Sequence, residues 1–259
     1  MARLKFLKRI GYSDIHTLEN DPSAFFYEAG FMIDADGAYH AYHRDNSSGL
    51  DYLGNAGKPG NWWALVTDNG RPSGDPVIQS GSDPAPGFYI STTSLEDESK
   101  DRRDPRRYVD AESINFFVLP GRLGLGAQLG DFGVVVRPAA NDYDYAIYAD
   151  VGPASKIGEG SIALAAALGI PSNPKNGGAG HGIIYIVFPG SRQGWPLTQA
   201  QIDQHGATLF AAWGGLEKVK ECFPDAHWAQ GPSIEIATPR SRPAKSRPPS
   251  RARAERRRA

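Results

Sequence analysis

The chain has 259 residues, 28.0 kDa, 30 Gly and 20 Pro; turn-formers make up about a fifth of it, which excludes a helical bundle. Apolar residues at 40% and charged ones at 22% exclude full-length disorder, and a single cysteine, Cys222, excludes a disulfide scaffold. The net charge of −1 hides a division: residues 240–259 hold nine Arg or Lys and one acid, Glu255, leaving the first 239 residues with 19 basic and 28 acidic groups. The acidic body favours a cationic or neutral partner.

In chain order, the opening MARLKFLKRI has charges at Arg3, Lys5, Lys8 and Arg9 that break any signal-peptide core, and no apolar run of membrane-spanning length follows. No membrane contact is expected, and the compartment is left open. Residues 1–22 read as a loosely attached arm with a short amphipathic turn. From 23 to 235 the sequence reads as one domain of short strands cut by Gly, Pro, Asn and Asp. The expected strands are Phe25–Ile33, Tyr39–His43, Trp62–Thr67, Phe88–Thr92, Ile114–Leu119, Gly133–Arg137, Tyr145–Asp150 and Ile183–Phe188. Two helices are expected: one from Ser161 to Leu168, capped by the serine and stopped at Gly169, and one from Thr198 to Trp213, ended by Gly214 and Gly215. Residues 236–259 read as a disordered basic tail, whose charge offers nucleic acid a non-specific contact.

The densest chemistry lies between Asp144 and Ser161. Strict alternation sets Tyr145, Ile147 and Ala149 on one face of a strand and Ala146, Tyr148 and Asp150 on the other. Gly152-Pro153 then turns the chain, and Glu159 follows between two glycines. A turn between them allows Asp150 and Glu159 to face each other across a cleft, as the two carboxylates of a glycoside hydrolase do. The plainer alternative makes Asp150 a turn cap and Glu159 a charge near the N-terminus of the Ser161 helix.

The segment ADVGPASKIGEGSIALA, from Ala149 to Ala165, resembles the catalytic stretch of the glycoside hydrolase family 75 chitosanases, with its Asp in a DxGP turn and its Glu in a following IGE(A/G)S. Ile33-Asp34-Ala35-Asp36-Gly37 is similar to the family's IDxDG element, and Tyr89-Ile-Ser-Thr-Thr-Ser94 to its YxSxT strand. The resemblance covers roughly residues 25–190 and implies inverting endo-hydrolysis of chitosan by Asp150 and Glu159. A weaker likeness, of the strand, DxGP turn and small-residue helix, is to the double-psi β-barrels of the lipoprotein A and expansin-like proteins. The expected fold is thus mainly β: a double-psi-like barrel with short helices and the basic tail.

Glutamate has the higher intrinsic pKa, which favours Glu159 as general acid and Asp150 as the base that activates water, with the reverse as the alternative. Substrate contacts are expected from the turn carboxylates Asp34 and Asp36, from Asp144, and from the rings of Trp62 and Tyr148. With Asp142, these aspartates would line an acidic cleft that draws in a cationic polysaccharide. Alternation sends only one of Trp62 and Trp63 outward. His40 and His43, three apart in an expected strand, face opposite ways, and no histidine has ligand spacing, so no metal is expected. Gly121–Gly130 fails the dinucleotide pattern and no phosphate loop occurs, so no cofactor is expected. The competing class is a non-catalytic, expansin-like glycan-binding barrel, which has no need of a second carboxylate at this spacing.

Overall fold

The computed structural model describes residues 2–229. The expected disordered tail, 236–259, lies outside them. Ten strands and three helices follow one another in the order β1 (Leu4–Ile10), β2 (Ser13–Leu18), β3 (Phe25–Asp34), β4 (Gly57–Lys58), β5 (Asn61–Trp62), β6 (Phe116–Pro120), β7 (Phe132–Arg137), β8 (Asp142–Gly152), β9 (Glu159–Ser161), α1 (Ile162–Ala167), β10 (Ala179–Val187), α2 (Gln199–Trp213) and α3 (Gly215–Cys222).

Six strands close into a barrel in the order β3-β10-β7-β8-β6-β9, with β9 pairing back onto β3. Two of the six pairings, β3–β9 and β6–β8, are parallel and the rest antiparallel. The architecture is the mainly β barrel with few short helices that the sequence predicts. Alternation along each strand separates two environments. Phe25, Tyr27, Ala29 and Phe31 of β3, Phe117 and Leu119 of β6, Ala146 and Tyr148 of β8, and Ile183, Tyr185 and Val187 of β10 share the barrel interior. The intervening residues face outward beneath two covers. One is α2–α3, whose Phe210, Trp213 and Val219 pack on Phe26, Val134 and Ile184. The other is the long segment 35–115, whose alanines at 35, 38, 41, 56, 64 and 111 approach Phe116, Val118, Ile147 and Ala149.

Three expectations are corrected. Residues 4–18 are not an arm with an amphipathic turn but a β1–β2 hairpin that continues the sheet beyond β3, with Ile10 and Ile15 buried against the barrel interior. Tyr39–His43 forms turns rather than a strand, and His40 and His43 both lie against the ring of Phe88. Trp62–Thr67 and Phe88–Thr92 form no ladder: one isolated bridge, Leu65–Ser91, joins them, and of these residues only Trp62 lies in a strand, the two-residue β5 paired with β4. The physical reason is side-chain competition for the backbone. Asp45, Asn69, Asp97, Asp101, Asp104 and Asp110 each accept from the amide two residues on, which bends the chain into turns where a ladder would otherwise run.

The helix ends follow the sequence. Ser161 Oγ accepts from Leu164 N at 3.1 Å, Thr198 and Gln201 form a capping box, and Gly214 ends α2 in the left-handed region at φ 117°.

Candidate active site

Glu159 lies on β9 rather than in the glycine-flanked loop expected for it. β9 is only three residues long, and its two neighbours hold it: Met32 of β3 pairs with Glu159 on one side and Val118 of β6 on the other. The flanking glycines make this approach possible. A Cβ on Gly160 would come within 2.8 Å of the Phe31 ring and 2.9 Å of Phe116 O, and one on Gly158, at φ +94°, within 2.6 Å of Ala29 Cβ.

Val118 also pairs with Asp150 on its other side. Asp150 and Glu159 are therefore level with each other on the two strands that flank β6, with backbones about 9–10 Å apart, two strand spacings. The level is set by a β-bulge: Phe117 pairs with Tyr148 and Val118 with Asp150, leaving Ala149 as the extra residue. This corrects the alternation expected from sequence. Tyr148 points into the barrel and stacks on Phe117 at 6.0 Å, whereas Asp150 joins the outward face with Val118. Tyr148 is buried among barrel side chains, and a sugar ring on the outward face would not reach its ring.

Asp34, at the end of β3, and Asp36, in the turn beyond it, complete the cluster. One carboxylate oxygen from each of Asp34, Asp36 and Asp150 lies within 4.8 Å of the other two, close enough for an ammonium group or a cation to sit among them. Asp34 accepts from Asp36 N at 2.7 Å, and Asp36 accepts from the Tyr42 hydroxyl at 2.7 Å and from Ser91 Oγ at 3.4 Å. Asp150 Oδ1 accepts from Ser94 N at 2.8 Å and from Ser94 Oγ at 2.5 Å. Buried Asp51 stands nearby, holding Tyr52 N and Asn55 Nδ2.

The electrostatics separate the members. Burial pushes the Glu159 carboxyl up to about 7, helped by the charges of Asp150 and Asp51 and opposed by Lys156. Burial also raises Asp150, but the hydrogen bonds from Ser94 and the Val151 backbone pull it back. Asp34 is raised by burial and then by Asp36, Glu159 and Asp150; Asp36 is raised by burial and Asp150, with the Tyr42 hydrogen bond opposing. The site thus pairs a carboxyl that keeps its proton near neutrality with a carboxylate stabilised by donors, the division acid–base chemistry requires.

Two other expected contacts fall elsewhere. Trp62 is 9% exposed and packs in the core under segment 35–115, because its β5 position turns it inward. The outward ring is Trp63, 58% exposed, its Nε1 donating to Asn55 O at 3.0 Å. Asp144 pairs with Val135 at the opposite end of β8, six residues and about 20 Å along the strand from Asp150, so it stands apart from the cluster. Asp142 is farther still. Sequence reasoning does not single out Ser91, Ser94 or Asp51, and it offers Tyr42 as a candidate sugar-stacking ring, whereas its hydroxyl donates to Asp36. Ser91 and Ser94 do lie in the YISTTS string that resembles the family's strand, which is the one signal that pointed to them.

A family model described as fungal chitosanase of glycosyl hydrolase group 75 matches residues 110–215, from the turn before β6 to the first residue of α3. The match contains both Asp150 and Glu159 and bears out the resemblance read from the sequence. Over that stretch the chain is similar to the chitosanase-type glycoside hydrolases, which supports a hydrolase acting on a polysaccharide. The match lends no support to a nucleic-acid partner. No curated protein matches the chain.

Proposed function

We propose that this chitosanase-type hydrolase cleaves β-1,4-linked glucosamine polymers within the chain and with inversion, Glu159 acting as general acid and Asp150 as general base. The observation that carries the reading is the contrast between the two carboxyls: Glu159 pushed up to about 7 by burial, Asp150 provided with donors from Ser94 and Val151. Glu159 protonates the glycosidic oxygen as the bond to the anomeric carbon breaks. Asp150 takes a proton from a water that attacks the opposite face, and the placement of the pair two strands apart supports room for that water.

Asp34 and Asp36 supply the acceptors for a glucosamine ammonium group. The exposed rings of Trp63 and Tyr52 supply apolar faces for neighbouring sugars. The deciding experiment is product-anomer analysis by NMR on defined glucosamine oligomers. The α-anomer appearing first from the β-linked substrate supports the proposal; the β-anomer first, or no cleavage at all, removes it.

A further inference from the structure

Residues 93–95 belong neither to the barrel nor to the stretch matched by the family model, yet they grip β8 where the bulge has disturbed it. The bulge at Ala149 leaves its carbonyl outside the β6 ladder, and Leu95 N takes it at 2.8 Å. One residue earlier, Ser94 N donates to Asp150 Oδ1 at 2.8 Å and Ser94 Oγ donates to the same oxygen at 2.5 Å. Val151 N in turn donates to Ser94 Oγ at 3.2 Å. A serine hydroxyl has one hydrogen. With Val151 N–H directed at Oγ, that hydrogen is committed to Asp150 and has no competing acceptor among these partners. Two donors converge on one carboxylate oxygen, fix the plane of the carboxyl group and leave Oδ2 for another partner.

We propose that Ser94 is a positioning residue for the hydrolysis: it holds Asp150 by Oδ1 so that Oδ2 is presented to the attacking water. The inference rests on the reading of Asp150 as the general base. Ser94 touches neither the sugar nor the water and acts only through Asp150. Asp150 is also approached by Asp34 and Asp36 from β3 and the turn after it, and by Glu159 from β9, all of them acidic. The hydrogen bonds that hold Asp150 come from the Ser94 amide and hydroxyl, with the Val151 backbone beside them, so the orienting task falls to segment 93–95 together with its neighbour on β8.

The test is a double-mutant cycle on the full chain, read as initial rates of reducing-end release from soluble chitosan. Ser94→Ala is expected to lower kcat on the order of tenfold with KM unchanged, the size of effect that misplacing a catalytic group produces. Ser94→Thr, which keeps the hydroxyl, is expected to restore most of that loss. In an Asp150→Asn background, Ser94→Ala is expected to cost nothing further, because the group it positions is gone. Thermal melts of all four variants check folding, and the exposed Ser94 side chain makes large losses there unexpected.

The inference fails if Ser94→Ala keeps wild-type kcat, if its loss appears in KM alone, or if the loss recurs undiminished in the Asp150→Asn background. It fails equally if Ser94→Thr is as impaired as Ser94→Ala. Should Asp150→Asn itself retain wild-type turnover, the parent assignment of the base fails, and that result is read from the single variant, before Ser94 enters.

Discussion

The barrel wall and the segment from 35 to 115 meet at the same acid cluster but hold their atoms by different means. Asp150 and Glu159 stand on ladder-paired strands whose neighbours, Phe116, Ile147 and Ala149, are fully buried, so their positions follow from the closed sheet. Asp36, Tyr42, Ser91 and Ser94 stand on a chain bent by side-chain-to-backbone turns, and join the cluster through a few side-chain hydrogen bonds, two of them from Ser94. The family match follows the same line. It covers the wall that carries the proposed acid and base and leaves outside it the segment that supplies their donors. The acids and their electrical environment are thus built by separate parts of the chain, and each can be broken without the other.

The largest effect is expected in the wall. Asp150→Asn and Glu159→Gln should each lower turnover of chitosan about 10³-fold, within the range that losing a positioned acid or base costs, with melting temperatures near wild type or above it. Reducing-end assays alongside thermal melts check this. Wild-type rates in either variant would remove that residue from the mechanism.

Next come the two adjacent tryptophans, which separate support from contact within segment 35–115. Trp62 is buried among Ala35, Leu65 and Ile147, and Trp62→Ala should destabilise the fold by about 3–5 kcal/mol. Trp63→Ala should leave stability unchanged and raise KM for long chitosan several-fold, if its exposed ring carries a sugar. Denaturant melts and kinetics on the two variants give the comparison, and a Trp63→Ala enzyme with unaltered KM would move the sugar platform elsewhere.

How far the sequence speaks depends on what fixes each element. The runs in β6, β7 and β10 are legible because burial on both faces demands continuous apolar residues, and the ends of α2 are legible because Thr198, Gln201 and Gly214 carry the capping chemistry. β9 is not legible: Glu-Gly-Ser has no strand pattern, and pairing with β3 and β6 alone makes it one. The bulge at Ala149 is equally silent, since nothing in YAIYAD marks the extra residue, yet it decides that Tyr148 turns inward and Asp150 outward. Hence the acidic residues of the cluster could be named from local strings, while Trp62, Tyr148 and Asp144 could be assigned only once register and strand ends were fixed in three dimensions.

A smaller effect concerns pH and stability. The folded Glu159 carboxyl titrates at about 7 against an ordinary 4.5, so the folded chain keeps a proton that the unfolded chain releases across that window. Stability from this group is full below about 4.5 and is lost as pH rises through 7. Asp34, Asp36 and Asp150, all raised, add in the same direction from their own lower starting points. Glu159→Gln should therefore melt at the same temperature as wild type near pH 4 and several degrees higher at pH 8, since a rise from 4.5 to about 7 is worth on the order of 3 kcal/mol and each kcal/mol about 2–4 °C in a domain of this size. Parallel melting curves at the two pH values would show that Glu159 is no harder to ionise folded than unfolded. The same value places the alkaline limb of the activity profile near 7, because the general acid must enter the reaction protonated.

The smallest expected effect is a null one, and it tests whether the acidic field is local. An acidic cleft should draw in protonated polyglucosamine, and salt should weaken that attraction, so KM is expected to rise with ionic strength. If the field came from the aspartates of β8 as a group, Asp144→Asn would blunt the salt dependence. The fold argues otherwise: Asp144 sits beside Val135 at the far end of the strand, about 20 Å from Asp150, two or more screening lengths at physiological ionic strength. Asp36, whose carboxylate oxygen lies within 4.8 Å of those of Asp34 and Asp150, is the residue whose charge the substrate should feel once the pH ionises it, since burial and Asp150 hold its carboxyl above the usual range. Asp144→Asn should match wild type in KM at both low and high salt, while Asp36→Asn should raise KM at low salt and flatten its rise. A salt response that flattens in Asp144→Asn and not in Asp36→Asn would place the attraction at the far end of β8 and detach it from the cluster.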